Sequence, residues 1–285
     1  MTRTLTLLFA LAASTILPLA ARAENAPSQL IEHSHIIAPY TVGAYQWKES
    51  QFNAQKLSAG AGFTYQHSRH PELRISVFVY PAGLGADKAT LEFGMQEFHA
   101  GLQQAQQLGI TTRITEESAF DLPYSLVDGK ENEKTGSNAN DPFLAVLARW
   151  KIPGQRLLME QTHNGMALHS AGYLFYRSLY FYKVRVSAPK DGMESAAFNQ
   201  LADDVARSLV PAITVINVGD CGKQNTIYLP KDGEPEEIAI SMSEQLLAMQ
   251  GRNCSAKLEA QQLREKMRNA DVIRIDFPAN AWSEQ

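Results

Sequence analysis

The sequence predicts an α+β fold: an antiparallel sheet with helices packed on it, followed by a small disulfide-bearing C-terminal appendage. Three observations carry this expectation. Short segments rich in β-branched and aromatic residues recur along the chain with turn residues between them. Two longer stretches instead repeat apolar residues at spacings of three and four, as an amphipathic helix does. Both cysteines, Cys221 and Cys254, fall in the last quarter of the chain.

Thr41 to Trp47 and Gly62 to Gln66 open the series of strands, and Arg74 to Tyr80 is a third, ended by Pro81 and Gly83. A helix follows, with Leu91, Met95, Phe98, Leu102 and Ala105 on one stripe. Asp87 near its start and Gly109 at its end supply the start and stop signals. Ile110 to Glu117 resumes an extended pattern. Asp128 to Asp141 contains no large apolar residue and reads as a solvated loop. Phe143 to Trp150, Arg156 to His163, Met166 to Tyr176 and Ser178 to Ala188 then read as successive strands, with Asn164-Gly165 as a two-residue hairpin turn. In the last of these, Tyr180, Tyr182, Val184 and Val186 share one face, while Lys183, Arg185 and Ser187 share the other. A second helix carries Phe198, Leu201, Ala202, Val205 and Leu209 on one stripe and should stop at Pro211. Helices around Glu236 to Gln250 and Ala256 to Asn269 and a closing strand, Val272 to Phe277, make up the appendage. The main domain is therefore placed at 24–218 and the appendage at 219–285.

Residues 1–23 read as a secretory signal peptide. Arg3 supplies the positive start, Leu5 to Ala20 the apolar stretch, and Ala21-Arg22-Ala23 the small residues a signal peptidase reads, so cleavage is expected after Ala23. No later segment is apolar enough to span a bilayer, so a soluble periplasmic or secreted protein is expected. Loss of Arg3 and Arg22 leaves 24 cations against 30 acids, a net charge of −6. With no long basic run, this argues against nucleic acid as a partner. Two thiols in an exported chain without CxxC spacing read as a structural disulfide, contributing roughly 3–4 kcal/mol on the chain-entropy view.

The order of elements, strands into Tyr-Pro-Ala-Gly (Tyr80 to Gly83), a long helix, more strands, then a final strand and helix, resembles the PsbP and Mog1-like superfamily. The resemblance covers roughly Thr41 to Ile216. It implies an α/β/α sandwich, an antiparallel sheet with helices on both faces. No shared catalytic set comes with that superfamily, so no site residue is carried over.

Among chemistry-bearing residues, histidine comes first. His67 and His70 need a turn to converge, His33 and His35 would share a strand face, and His163 and His169 straddle the Asn-Gly turn and are expected near each other. A metal needs several such ligands within about 2 Å of one point, and no zinc spacing is present. Gly83-Leu-Gly85 precedes a helix but has Lys88 where a nucleotide fingerprint requires a third glycine, so it reads as an ordinary turn. There is no Gly-x-Ser-x-Gly elbow. The acid pairs Glu116-Glu117 and Asp203-Asp204 read as solvated surface. Tyr173, Phe175, Tyr180 and Tyr182 belong to an aromatic hairpin that is core if both faces are covered, or a binding patch if one is open. No catalytic motif and no cofactor emerge. The expected function is an exported accessory or binding module of the cell envelope, its partner another envelope protein or a small ligand. The rival is an envelope hydrolase or metal-dependent enzyme with a histidine-containing site.

Overall fold

The computed structural model describes residues 29–85, 87–124, 142–223, 226–258 and 260–282. The expected signal peptide and the polar stretch 128–141 lie outside the described residues. In chain order the strands and helices are β1 (His33–Pro39), β2 (Thr41–Val42), β3 (Tyr45–Phe52), β4 (Ala61–His67), β5 (Arg74–Pro81), α1 (Asp87–Gln107), β6 (Thr111–Ala119) and β7 (Leu122–Pro123). They continue as α2 (Pro142–Arg149), β8 (Lys151–Ile152), β9 (Gly154–His163), β10 (Met166–Arg177), β11 (Tyr180–Pro189) and α3 (Ser195–Ala212). The chain closes with β12 (Thr214–Val218), α4 (Pro235–Gly251), β13 (Cys254–Ser255), α5 (Ala260–Met267) and β14 (Ala270–Asp276).

The fold is α+β. An eight-stranded antiparallel sheet runs in the order β2-β3-β4-β5-β11-β10-β9-β6, and a four-stranded sheet, β13-β12-β1-β14, accompanies it. The Asn164-Gly165 turn forms as expected, both residues in the left-handed region at φ 50° and 77°. The alternation read in β11 also holds. Tyr180, Tyr182, Val184 and Val186 are buried, whereas Lys183, Arg185 and Ser187 are half-buried.

The two faces of the large sheet are covered differently. On one, α3 and the small sheet close over Phe63, Tyr65, Val77, Tyr173, Tyr180 and Tyr182 in one continuous core that includes Ile36, Val215 and Ile275. Tyr65 donates to the Pro39 carbonyl at 2.9 Å, pinning β4 to the end of β1. On the other face α1 packs over β10, β9 and β6. Gly172 is required there: a Cβ would meet the Phe98 ring at 2.5 Å. The outer side of the small sheet buries Ile37, Ile216 and Ala270 against Leu258 and Leu263, the latter on α5.

Three expectations change. Phe143 to Trp150 is not a strand; it lies largely within α2, with Pro142 at the helix start. A continuous apolar run does not distinguish buried strand from buried helix, and Pro at the first helical position decides it here. The second helix does not stop at Pro211 but includes it in its last turn. His33–Pro39, read only as a polar start, is a strand paired on both sides, with β12 and with β14. The C-terminal segment carries the cysteine pair at disulfide distance, Cα atoms 5.6 Å apart, and supplies both edge strands of the small sheet.

Candidate ligand pocket

The β10–β11 hairpin turns on Ser178 and Leu179, with φ angles of 54° and 67°. Such positions favour Gly, Asn or Asp, and a leucine there persists only where the surroundings hold it. The Ser178 carbonyl accepts from Asn217 Nδ2 at 3.0 Å, and Ser178 Oγ donates to the Gly251 carbonyl at 3.2 Å. The Leu179 carbonyl accepts from the Ala82 N–H at 3.0 Å. Asn217 is fully buried on β12. Its amide also donates to the Arg252 carbonyl at 2.8 Å, and its Oδ1 accepts from Ser34 Oγ at 2.7 Å. One side chain thus clamps β1, the hairpin and the end of α4 together, with its hydrogen-bonding groups satisfied.

Beside this clamped turn lies a cavity of about 250 Å³. Four parts of the chain wall it: the hairpin with Tyr176 and Leu179, the connection into α1 with Leu84, the β7–β8 ribbon with Tyr124, and the end of α4 with Arg252. Asp87, the first residue of α1, lines it too. Tyr176 is buried and donates to the Gly83 carbonyl at 3.3 Å. Burial first, and then the Asp87 carboxylate, push its phenol up to about 12. Burial likewise raises the Tyr124 phenol, against the opposing charge of Arg177. Asp87 is exposed as a residue, yet desolvation raises its carboxyl pKa, with Arg252 and a backbone hydrogen bond pulling the other way. The cavity therefore offers neutral phenols, the Asp87 carboxyl and the cations Lys151, Arg177 and Arg252 among apolar walls, a lining suited to orienting a small polar ligand.

The residues singled out by sequence fall elsewhere. Tyr173, Phe175, Tyr180 and Tyr182 are fully buried beneath α3 and the small sheet, so they are core and not an exposed aromatic patch. His163 and His169 do not converge. The β9–β10 register sets His163 opposite Met166 and His169 opposite Glu160. His169 stacks on Phe198, with its Nε2 3.1 Å from the Met193 carbonyl. His67 and His70 do meet, their ring centroids 4.9 Å apart across a turn, and His70 Nδ1 lies 3.0 Å from Glu72. Among the described residues no three His, Cys, Asp or Glu side chains gather as a metal site requires.

Two of the supposed surface acids are structural. Asp203 is only 16% exposed, accepts from Arg156 at 3.0 Å and from the Tyr173 hydroxyl at 2.7 Å, and so ties α3 to the sheet. Glu116 pairs with the same Arg156. The pocket itself was missed. Arg177-Ser178-Leu179-Tyr180 contains no Gly, Asn, Asp or Pro, and the pocket walls come from segments far apart in the chain. Gly83-Leu-Gly85 was the nearest available signal: it is a turn, and that turn is the pocket rim.

No protein-family model matches this chain, and no curated protein matches it. The solved structures similar to this chain include two at low identity. The solution structure of cyanobacterial PsbP (CyanoP) from Synechocystis is 12% identical with a TM-score of 0.37, covering 67% of this chain and 97% of its own. A single-substitution mutant of protein Mog1 is 11% identical with a TM-score of 0.30, covering 62% and 94%. Among the described residues no helix is long and apolar enough to cross a membrane.

Proposed function

We propose that this protein is an exported, non-enzymatic binding module of the cell envelope, holding a small polar ligand in the pocket beside the β10–β11 hairpin. The observation that carries this reading is the clamped turn. Strain held at φ 54° and 67° by a buried asparagine, beside a cavity of about 250 Å³ walled by four chain segments, resembles a preorganised site more than an accident of packing. That volume lies just below the roughly 300–1,000 Å³ of drug-sized sites, so the ligand is small. Export through residues 1–23 to the periplasm belongs to the same reading, and the cysteine pair at disulfide distance supports an oxidising compartment. The rival, an envelope hydrolase or metal-dependent enzyme, rests on His163 and His169, which the strand register separates.

The test is a native mass spectrum of the mature protein purified from its own compartment, beside the variant Ala248→Trp. Ala248 lines the cavity from an exposed position on α4, so a large ring there blocks the pocket without disturbing the core. The expected parent carries the added mass of one small organic molecule, and the variant does not. A parent that flies bare, or a variant that keeps the same added mass, removes this reading.

A further inference from the structure

The less covered face of the large sheet holds a second feature, independent of the hairpin pocket. Lys183 and Arg185 stand two residues apart on β11 and point to the same face. Around them β5 contributes Ser76, Phe78 and Tyr80, with Lys183 opposite Phe78 and Arg185 opposite Ser76. On the other side α1 brings Phe98, whose ring centroid lies 3.7 Å from Lys183 Nζ. The short turn Leu57–Ala59 forms the far wall through Ser58 and Ala59. Ser58, Ala59, Phe78, Tyr80, Lys183 and Arg185 line an open cleft of about 310 Å³ with an apolar floor and two cations.

Both cations are half-buried, and among the described residues neither side chain makes a hydrogen bond or an ion pair. Half-buried charges are ordinarily paired, because leaving one unpaired forfeits solvation without compensation. Here two like charges share one cleft, and among the described residues the contact that attracts Lys183 is the face of the Phe98 ring. Burial, and then the charge of Arg185, lower its pKa to about 8. Arg185 is likewise shifted down by burial. Of the other ionisable groups nearby, Tyr80 and Arg74 share the face on β5, and Glu97 on α1 acts on Tyr80. The cleft therefore carries unsatisfied positive charge beside an apolar surface.

We propose that this cleft is a binding site for a small organic oxyanion, its phosphate or carboxylate head held by Lys183 and Arg185 and its apolar part laid on Phe78 and Tyr80. An oxyanion would supply the acceptors both cations lack, and the guanidinium fork suits its geometry. The apolar floor sets the preference for an organic ligand over a bare inorganic ion.

The experiment is calorimetric titration of the full mature protein at low salt with phenyl phosphate, benzoate and inorganic phosphate, repeated on Lys183→Met and Arg185→Met. Saturable one-to-one binding of phenyl phosphate or benzoate is expected, with inorganic phosphate at least tenfold weaker, and a loss of at least tenfold in each variant. Near pH 8 binding should also take up protons, seen as a heat that varies with the ionisation enthalpy of the buffer, and Lys183→Met should abolish that uptake. Each variant removes an unpaired cation, so Tm should hold or rise. Lys183→Arg keeps the charge and should keep binding, which separates loss of the site from loss of the fold. No saturable binding of either aryl probe, or binding unchanged in both methionine variants, overturns the proposal. The identity of the aryl anion preferred, phenyl phosphate or benzoate, then reports which head group the site takes.

Discussion

The two faces of the eight-stranded sheet are built from the same strands yet differ in almost every physical respect. On β11, Tyr180, Tyr182 and Val184 are 0% exposed beneath α3 and the small sheet. One residue away along the same strand, Lys183 and Arg185 are half-buried in an open cleft. The sealed face carries the shared core and resolves its charges internally, as Asp203 does between Arg156 and Tyr173. On the open face, Lys183 and Arg185 have no partner among the described residues. Strand alternation thus creates two environments, and the elements packed on each decide which one stabilises the fold and which remains free for a ligand.

That contrast can be broken or sharpened by measurement. The largest effect is expected from Tyr182→Ala on the sealed face, a loss of about 3–5 kcal/mol in denaturant unfolding, against roughly 1 kcal/mol for Phe78→Ala on the open face. Equal losses would mean the two faces are equally packed in solution. Next in size is removal of the cross-link with Cys221→Ser and Cys254→Ser together. The pair spans 33 residues and joins the turn after β12 to β13, so the double variant should lose about 3 kcal/mol and loosen the small sheet first. Hydrogen exchange that speeds up on β1 and β12 before β4 and β5 would show this. Asn217→Ala should cost about 2–3 kcal/mol, because it strands the Ser178 and Arg252 carbonyls and the Ser34 hydroxyl in a buried site. A Tm unchanged in that variant would mean the hairpin does not depend on the clamp.

The smallest effect is a pH dependence on the open face. The pKa of Lys183 lies below that of an unfolded lysine, so between about pH 8 and 10 the unfolded chain binds more protons than the folded one. Stability contributed by this group therefore rises with pH across that window. The parent should gain about 1 kcal/mol relative to Lys183→Met, most of the nominal shift being screened by solvent. Parallel curves for the two proteins would show that Lys183 is better solvated than its surroundings suggest.

Legibility in the sequence followed the range of the interactions involved. The stripes of α1 and α3 were readable because 3.6-residue periodicity is local, and so was the Asn164-Gly165 turn, where two adjacent residues dictate the backbone. The two-sided character of β11 was readable for the same reason. Strand β1 was not, because His-Ser-His-Ile-Ile-Ala-Pro has little intrinsic strand character and gains it from partners about 180 and 240 residues away. The convergence expected of His163 and His169 failed by register: a hairpin pairs residues equidistant from its turn, and these two are not. The pocket was hidden because a leucine at positive φ carries no local signature.

By itself the sequence determined the α+β class, the main helices, the alternating faces and the pairing of its two cysteines. These depend on side-chain periodicity and on there being only one possible partner for each thiol. The tertiary structure alone decided that a second sheet seals one face, that Asn217 clamps a strained hairpin beside a cavity, and that Lys183 and Arg185 meet no counter-charge among the described residues. Each of these depends on segments far apart in the chain arriving at one place, and no local pattern encodes such an arrival.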